Sequence, residues 1–356
     1  MMKTRFFISI LLVSALPAFC ACSDGTQMPD WPWDEPQKPE TPEEPGENPG
    51  ENPGEEPEDT DWTDVSADYE GLPSYITILR SPSTLQDKAA VAYAAIADMS
   101  RASLDIWSVK DPTLSGADES LRTPSKVYEA EKPAVIINGG YFYVDGGKTY
   151  PMSLAVKDGE ILAQNINYSS QDWVKIYYPT RAALLLDATG KAKAAWTYYS
   201  NADGKTYVYP QPAQNSWDSK PLQVPSATFP EGAEVMDAKW AVGGGPVLLR
   251  DGEVVNSYGP ELFLSDVGCD VNNPRTAVGV TADNKAVFFV CEGRNMTEGV
   301  KGLTTAEVAA VMKDLGCTEA INLDGGGSSC MLVGGRETIK PSDGAQRSVA
   351  CTLMLK

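Results

Sequence analysis

Histidine is absent from all 356 residues. That absence excludes a Ser-His-Asp or Cys-His nucleophile system and argues against a zinc site of the usual kind. No run of lysines and arginines occurs either, which argues against a nucleic-acid groove. No cysteine pair has CxxC spacing. Cys269, Cys291, Cys317, Cys330 and Cys351 are five in number, so at least one stays free or pairs elsewhere. Most of them sit in apolar contexts, where a small buried thiol is the default. The apolar run Phe6–Val13 is too short to span a bilayer as a helix.

What the N-terminus does contain is Lys3 and Arg5, that short apolar run, small residues and Cys20-Ala21-Cys22. This is the pattern of a secretory signal over residues 1–22. Cys22 preceded by Ala21 resembles a bacterial lipoprotein processing site, which implies cleavage before Cys22 and lipidation of its thiol. An exported, membrane-anchored lipoprotein is the expected localisation. Residues 23–66 read as a disordered linker. They repeat Pro, Gly and Glu with almost no aliphatic residues, and cannot bury enough apolar area to offset ordering entropy. Fifteen acidic residues face Lys38 alone between Ser23 and Asp64, within a whole-chain net charge of −20. The acidity therefore belongs mostly to the spacer and says little about a substrate.

Residues 67–356 read as one large domain. Strand patterns dominate: Tyr75–Leu79, Leu104–Val109, Ala134–Ile137, hairpins at 154–162 and 182–194, and a hairpin over 273–294 turning at Ala282-Asp283-Asn284. Ala89–Met99 fits either period. Residues 196–232, rich in Tyr, Trp, Pro and Asn, read as a long loop insertion. Thr123-Pro124 starts a short helix. Thr304 and Glu307 form a capping box for Thr305–Leu315, which Gly316 ends. Many strands with few helices predict an α+β domain built mainly on antiparallel sheet.

Two stretches carry chemistry. Ile321–Leu332 (INLDGGGSSCML) is an apolar strand ending on Asp324, then three glycines, Ser328 and Ser329. The glycines let backbone N–H groups approach a ligand, although turn chemistry alone also selects Asp, Gly and Ser. Residues 133–143 (PAVIINGGYFY) repeat the logic with Asn138, Gly139 and Gly140, and Asn-Gly is equally a hairpin signal. Arg275, Glu292 and Arg294 fall at one end of the 273–294 hairpin, and Arg347 precedes the last strand.

Together NGGYF, GGGPVLL, NPRTAVG, EGR, GLTTAEVAAVMKDLGCTEAINLDGGGSS and Arg347 resemble the phosphodiester glycosidase family, which includes the mannose 6-phosphate uncovering enzyme. The resemblance runs from about Tyr75 to the C-terminus and is most specific over 304–329. It implies hydrolysis of a sugar–O–phosphate bond, releasing free sugar and a phosphomonoester from a phosphodiester-linked glycan. Glycoside hydrolysis usually employs two carboxylates, and Asp324 and Glu292 form the best pair. Asp324 leads as nucleophile or base. The phosphate leaving group needs charge stabilisation more than a proton, which Arg275, Arg294, Arg347 and the Gly325, Gly326, Ser328 and Ser329 turn would supply. Asn138, with Gly139 and Gly140, is assigned to sugar hydroxyls. No cofactor is required. Two other readings use the same residues: a non-catalytic glycan-binding lipoprotein, and a metal-assisted phosphodiesterase with Asp324, Glu292 and Asn138 as oxygen donors to Mg²⁺ or Ca²⁺.

Overall fold

The computed structural model describes residues 61–111, 120–263 and 267–356. The signal segment, Cys22 and the linker as far as residue 60 lie outside the described residues. The end of the expected linker is structured. Thr63–Asp64 is a short edge strand paired with Leu79 and Arg80, and Ser66–Asp68 makes a 3₁₀ turn whose Ser66 hydroxyl accepts the Ile78 N–H at 2.9 Å.

Among the described residues every strand pairing is antiparallel. The largest sheet has eight strands, in the spatial order 63–64, 76–80, 92–98, 285–291, 275–281, 317–322, 247–250 and 253–254. Its centre is the hairpin Arg275–Thr281 with Lys285–Cys291, in the register that opposes Arg275 to Cys291. A seven-stranded sheet runs 160–163, 155–157, 240–243, 181–186, 192–200, 205–209 and 234–235, and a five-stranded one runs 336–337, 331–333, 135–138, 351–355 and 104–108.

The ambiguous stretch resolves as the strand Ala92–Asp98, whose Ala95 and Ala97 face the shared core. The expected 196–232 loop is partly sheet, because Ala192–Ser200 and Lys205–Tyr209 form a hairpin. The first of these strands buries five consecutive residues, Ala194–Tyr198. A strand covered on both faces loses the period-two alternation that would reveal it.

One core joins the three sheets. Ile78 from the eight-stranded sheet, Leu184 and Trp196 from the seven-stranded one, and Ile106, Ile137 and Leu353 from the five-stranded one are fully buried in a single cluster. The opposite face of the eight-stranded sheet is covered by helix α2, Thr305–Asp314, whose Val308, Val311 and Met312 pack on Leu248, Ala277, Phe289 and Ala320. Its capping box forms as the sequence implies, with Thr304 Oγ1 accepting from Glu307 N and Glu307 Oε2 accepting from Thr304 N. Helix α1, Pro124–Glu131, is capped by Thr123 and lays Val127 and Tyr128 on Ile136, Leu332 and Met354. Within the strand Val135–Asn138 the two faces separate cleanly, Val135 and Ile137 inward to the shared core and Ile136 toward α1.

Two buried glutamates stitch the sheets. Glu261 accepts N–H groups from Ala182, Val247 and Trp196, at 2.8, 3.0 and 3.2 Å, and the hydroxyl of Ser257. Burial still pushes its carboxyl above the ordinary range. Glu319 takes the N–H groups of Ala194 and Asp251 at 2.6 and 2.9 Å. All five cysteines of the described residues are buried and unpaired.

Candidate active site

The site gathers where strands of two sheets end side by side. The strand Cys317–Asn322 delivers Leu323 and Asp324, and the strand Val135–Asn138 ends beside it. The Asp324 N–H donates to Gly139 O at 3.1 Å. Asn138 lies beneath, completely buried. Its Nδ2 donates to Asp324 O at 2.7 Å, while its Oδ1 accepts the Thr276 hydroxyl at 2.7 Å and the Cys330 N–H at 3.1 Å. Both ends of the amide are thus spent on protein. Asn138 fixes the backbone of Asp324, which replaces its expected role on sugar hydroxyls. Gly139 and Gly140 serve the same end. A Cβ on Gly139 would strike the Cys351 side chain, and one on Gly140 would strike Ser153, so these glycines permit close packing rather than leave room for a ligand.

Arg275 is likewise a structural clamp in place of the expected phosphate ligand. It is 1% exposed. Its Nε donates to Leu303 O at 2.8 Å, Nη1 to Val267 O at 3.2 Å, and Nη2 to Val271 O at 2.7 Å and to Gly268 O. A fork engaged on four carbonyls holds the 267–271 segment against the start of α2.

Asp324 itself keeps some exposure to solvent. The surrounding protein raises its carboxyl from 3.8 to about 6, chiefly through desolvation; the Ser328 hydroxyl, the Arg347 charge and the Gly325 N–H pull the other way, and the Asp343 charge adds to the rise. The glycines after it make a 3₁₀ turn, Gly326–Ser328. Gly326 sits at φ +57°, a conformation glycine adopts without penalty, and a Cβ there would press on the Arg294 guanidinium. A Cβ on Gly327 would collide with the Asp343 carboxylate and the Arg347 guanidinium. The bare turn is therefore what lets two arginines and an aspartate lie directly against it. Ser328 and Ser329 are both buried, and the Ser329 hydroxyl has no hydrogen-bond partner.

Around the turn, Arg347 donates through Nε and Nη2 to Asp343 Oδ2 at 2.9 and 2.5 Å, and through Nη1 to Ser328 Oγ at 3.3 Å. Arg294 approaches the other oxygen of Asp343 at 3.8 Å. The three side chains remain 22–33% exposed. Burial and the neighbouring guanidiniums lower the Arg294 pKa, against the pull of Asp343. Asp343 was not among the residues singled out from the sequence. It lies in Pro341-Ser342-Asp343-Gly344, a string that reads as an ordinary turn; its spacing four before Arg347 was the one available hint. Tyr141, also unassigned, is linked to the site electrostatically. Burial raises its hydroxyl pKa well above the ordinary value, with Asp324 adding to the rise, while the hydroxyl donates to Gly245 O at 2.8 Å and accepts from Asn322 Nδ2 at 3.0 Å.

Glu292 is only 3% exposed. One oxygen accepts the Lys340 N–H at 2.9 Å, and the other is buried without a partner. It thereby anchors the segment that carries Asp343. Of the expected residues, the structure brings together Asp324, Gly325, Gly326, Ser328, Arg294 and Arg347 around one glycine turn, with Asn138, Gly139, Gly140, Arg275 and Glu292 as its supports.

The family model for phosphodiester glycosidase matches residues 131–356, well over half of the chain and all of these residues. The chain belongs to the phosphodiester glycosidase family. Solved structures share its fold. The catalytic domain of zebrafish N-acetylglucosamine-1-phosphodiester alpha-N-acetylglucosaminidase, auto-inhibited by its pro-peptide, is 21% identical with a TM-score of 0.54, covering 80% of this chain and 85% of that one. A hypothetical protein from Synechocystis is 16% identical with a TM-score of 0.53, covering 80% of this chain and 62% of that one. A putative exported protein from Burkholderia pseudomallei is 19% identical with a TM-score of 0.51, covering 76% and 74%. The uncharacterized SPbeta prophage-derived protein YomE of Bacillus subtilis strain 168 is 35% identical over 86 residues, which span 24% of this chain and 13% of YomE.

Proposed function

We propose that this phosphodiester glycosidase family member hydrolyses a glycosyl phosphodiester, releasing free sugar and a phosphomonoester. The observation that carries the reading is the placement of Asp324. The carboxylate of a partly exposed residue, its pKa raised to about 6 chiefly by desolvation, stands on a glycine turn, and its Ser328 neighbour also meets Arg347. Asp324 acts on the anomeric carbon, as nucleophile or as the base that deprotonates a water. The guanidiniums of Arg294 and Arg347 take the phosphate. Because a phosphomonoester is a weak base, charge stabilisation at the leaving oxygens replaces the acid that most glycosidases need. Glu292 contributes by holding Lys340, and with it the segment carrying Asp343.

The test is release of free sugar from a panel of sugar-1-phosphate diesters, with wild type beside Asp324→Asn, each with and without chelator. Release by wild type alone, unchanged by chelator, is expected. Full activity of a folded Asp324→Asn protein would refute the assignment. Release abolished by chelator would favour the metal-assisted reading, and binding of glycans without turnover the non-catalytic one.

The proposal extends to location. Lys3, Arg5, the short apolar run and Ala21-Cys22 support export and lipidation, with residues 23–60 as a spacer. Expressed in a bacterium with a labelled fatty acid, the wild-type chain should take up label and fractionate with membranes. Cys22→Ser should do neither, and unchanged labelling would refute the anchor.

A further inference from the structure

The phosphate reading leaves Asp343 unexplained. A residue that places its carboxylate between the two phosphate-binding guanidiniums would weaken the binding of any anion, and a simple clamp has no need of it. Its placement is nevertheless built. Residues 340–346 form a strap fastened at both ends. At one end Lys340 N is held by Glu292 at 2.9 Å, and Lys340 Nζ reaches Thr297 Oγ1 at 3.0 Å. At the other end Gln346 exchanges hydrogen bonds with Ser125, Oε1 accepting from Ser125 N at 2.9 Å and Nε2 donating to Ser125 Oγ at 2.8 Å. Between them, Gly344 N donates to Pro341 O at 3.0 Å and closes a turn that presents Asp343 to Arg347 and Arg294. Gly327 lacks the side chain that would exclude this carboxylate. The strap, the turn and the missing Cβ all agree on one position for one negative charge.

Charge explains the arrangement. The two guanidiniums and Asp343 sum to a single positive charge, and Asp324 adds a negative one beside them on the side assigned to the sugar. A phosphodiester is a monoanion. The phosphomonoester product, like any monoester above neutral pH, is a dianion. A fixed carboxylate repels the second negative charge of a dianion while costing a monoanion about half as much. We propose, resting on the assignment of Arg294 and Arg347 to phosphate, that Asp343 is the residue that makes this site select phosphodiester monoanions over phosphomonoester dianions. It thereby also eases departure of the product. The discrimination is by repulsion of the wrong ligand rather than by a new contact to the right one.

The experiment measures dissociation constants of methyl phosphate and dimethyl phosphate at pH 8 by calorimetry, so that the readout does not depend on hydrolysis. The proteins are wild type, Asp343→Asn, Asp343→Ser and Asp343→Glu. Asn is nearly isosteric and Ser is small, so a folding defect in one does not remove the test. The ratio of the two constants should shift toward methyl phosphate by roughly ten-fold in Asp343→Asn and Asp343→Ser, and stay near the wild-type ratio in Asp343→Glu, which keeps the charge. An unchanged ratio in both neutral variants, with both probes still bound and binding lost in Arg347→Gln, would overturn this inference and leave the phosphate site standing. Binding of both probes unaffected by Arg347→Gln and Arg294→Gln would overturn the phosphate assignment itself, and the inference with it.

Discussion

Asp324 is held in a state that an optimally stable protein would avoid. Its carboxyl ionises near 6 in the folded chain, against an ordinary value of 3.8. The folded state therefore holds its proton more tightly than the unfolded state does. Below about pH 4 both states are protonated and the residue is neutral in both. As pH rises toward and through 6, the folded protein must carry a poorly solvated charge, and stability falls. Asp324→Asn removes that cost while keeping the shape and an acceptor oxygen. At pH 7.5 the variant should be more stable than wild type by roughly 1–2 kcal/mol, allowing for the partial exposure of the residue. Parallel urea titrations at pH 7.5 and pH 4 check this, since the advantage should shrink at pH 4. A variant less stable than wild type at pH 7.5 would contradict the electrostatic picture. The same group should set the acid limb of kcat/KM, with half-maximal activity near pH 6, because the nucleophile or base must be ionised. Gained stability with lost turnover is the pairing expected of a strained catalytic group and not of a structural one.

At the scale of elements, the site is a convergence of strand ends, and Asn138 is the knot. It joins the end of Val135–Asn138 to Asp324 after Cys317–Asn322, to Thr276 in Arg275–Thr281, and to Cys330 before Met331–Val333. Replacing it by Ala leaves a buried hydroxyl, a buried N–H and a carbonyl without their partner. A loss of about 2–4 kcal/mol is expected, read as a lower urea midpoint with an unchanged slope. A loss under 0.5 kcal/mol would mean that water replaces the amide. These elements were legible in the sequence to different depths. The hairpin of Arg275–Thr281 and Lys285–Cys291, the capped helices and the Asp324 turn declare themselves through alternation, caps and glycines. Ala192–Ser200 did not, because burial on both faces erases alternation. At the site, Asp324 and Arg294 could be picked out because charged residues beside glycines at strand ends are unusual for a buried turn, and Arg347 through the family resemblance and its place before the last strand. The roles of Asn138 and Arg275 could not, since their partners are backbone atoms far away in the chain. Asp343 stayed hidden for a different reason: Pro-Ser-Asp-Gly is sufficient chemistry for a turn, and only the fold shows what that turn is pressed against.

At the scale of the whole molecule, the three large sheets of the described residues close over one core, and the thiols report on how well it is sealed. Cys269, Cys291, Cys317, Cys330 and Cys351 are all buried and unpaired, and burial pushes each thiol up to about 12. A thiol in that state is neither ionised nor reachable at pH 8, so it reacts only when the surrounding structure opens. The five are spread over distinct parts of the fold. Cys291 and Cys317 lie in the eight-stranded sheet, Cys351 lies in the five-stranded one, and Cys330 packs under α1. If the domain unfolds as one unit, a chain trimmed of residues 1–60 should show no fast-reacting thiol toward a disulfide reagent at pH 8. All five should then label with a single rate as denaturant is raised, and reductant should leave the unfolding midpoint unchanged. A thiol that labels ahead of the others would locate a sheet that opens separately. A midpoint that falls on reduction would mean that a disulfide contributes to the solution protein, contrary to the unpaired thiols of this fold.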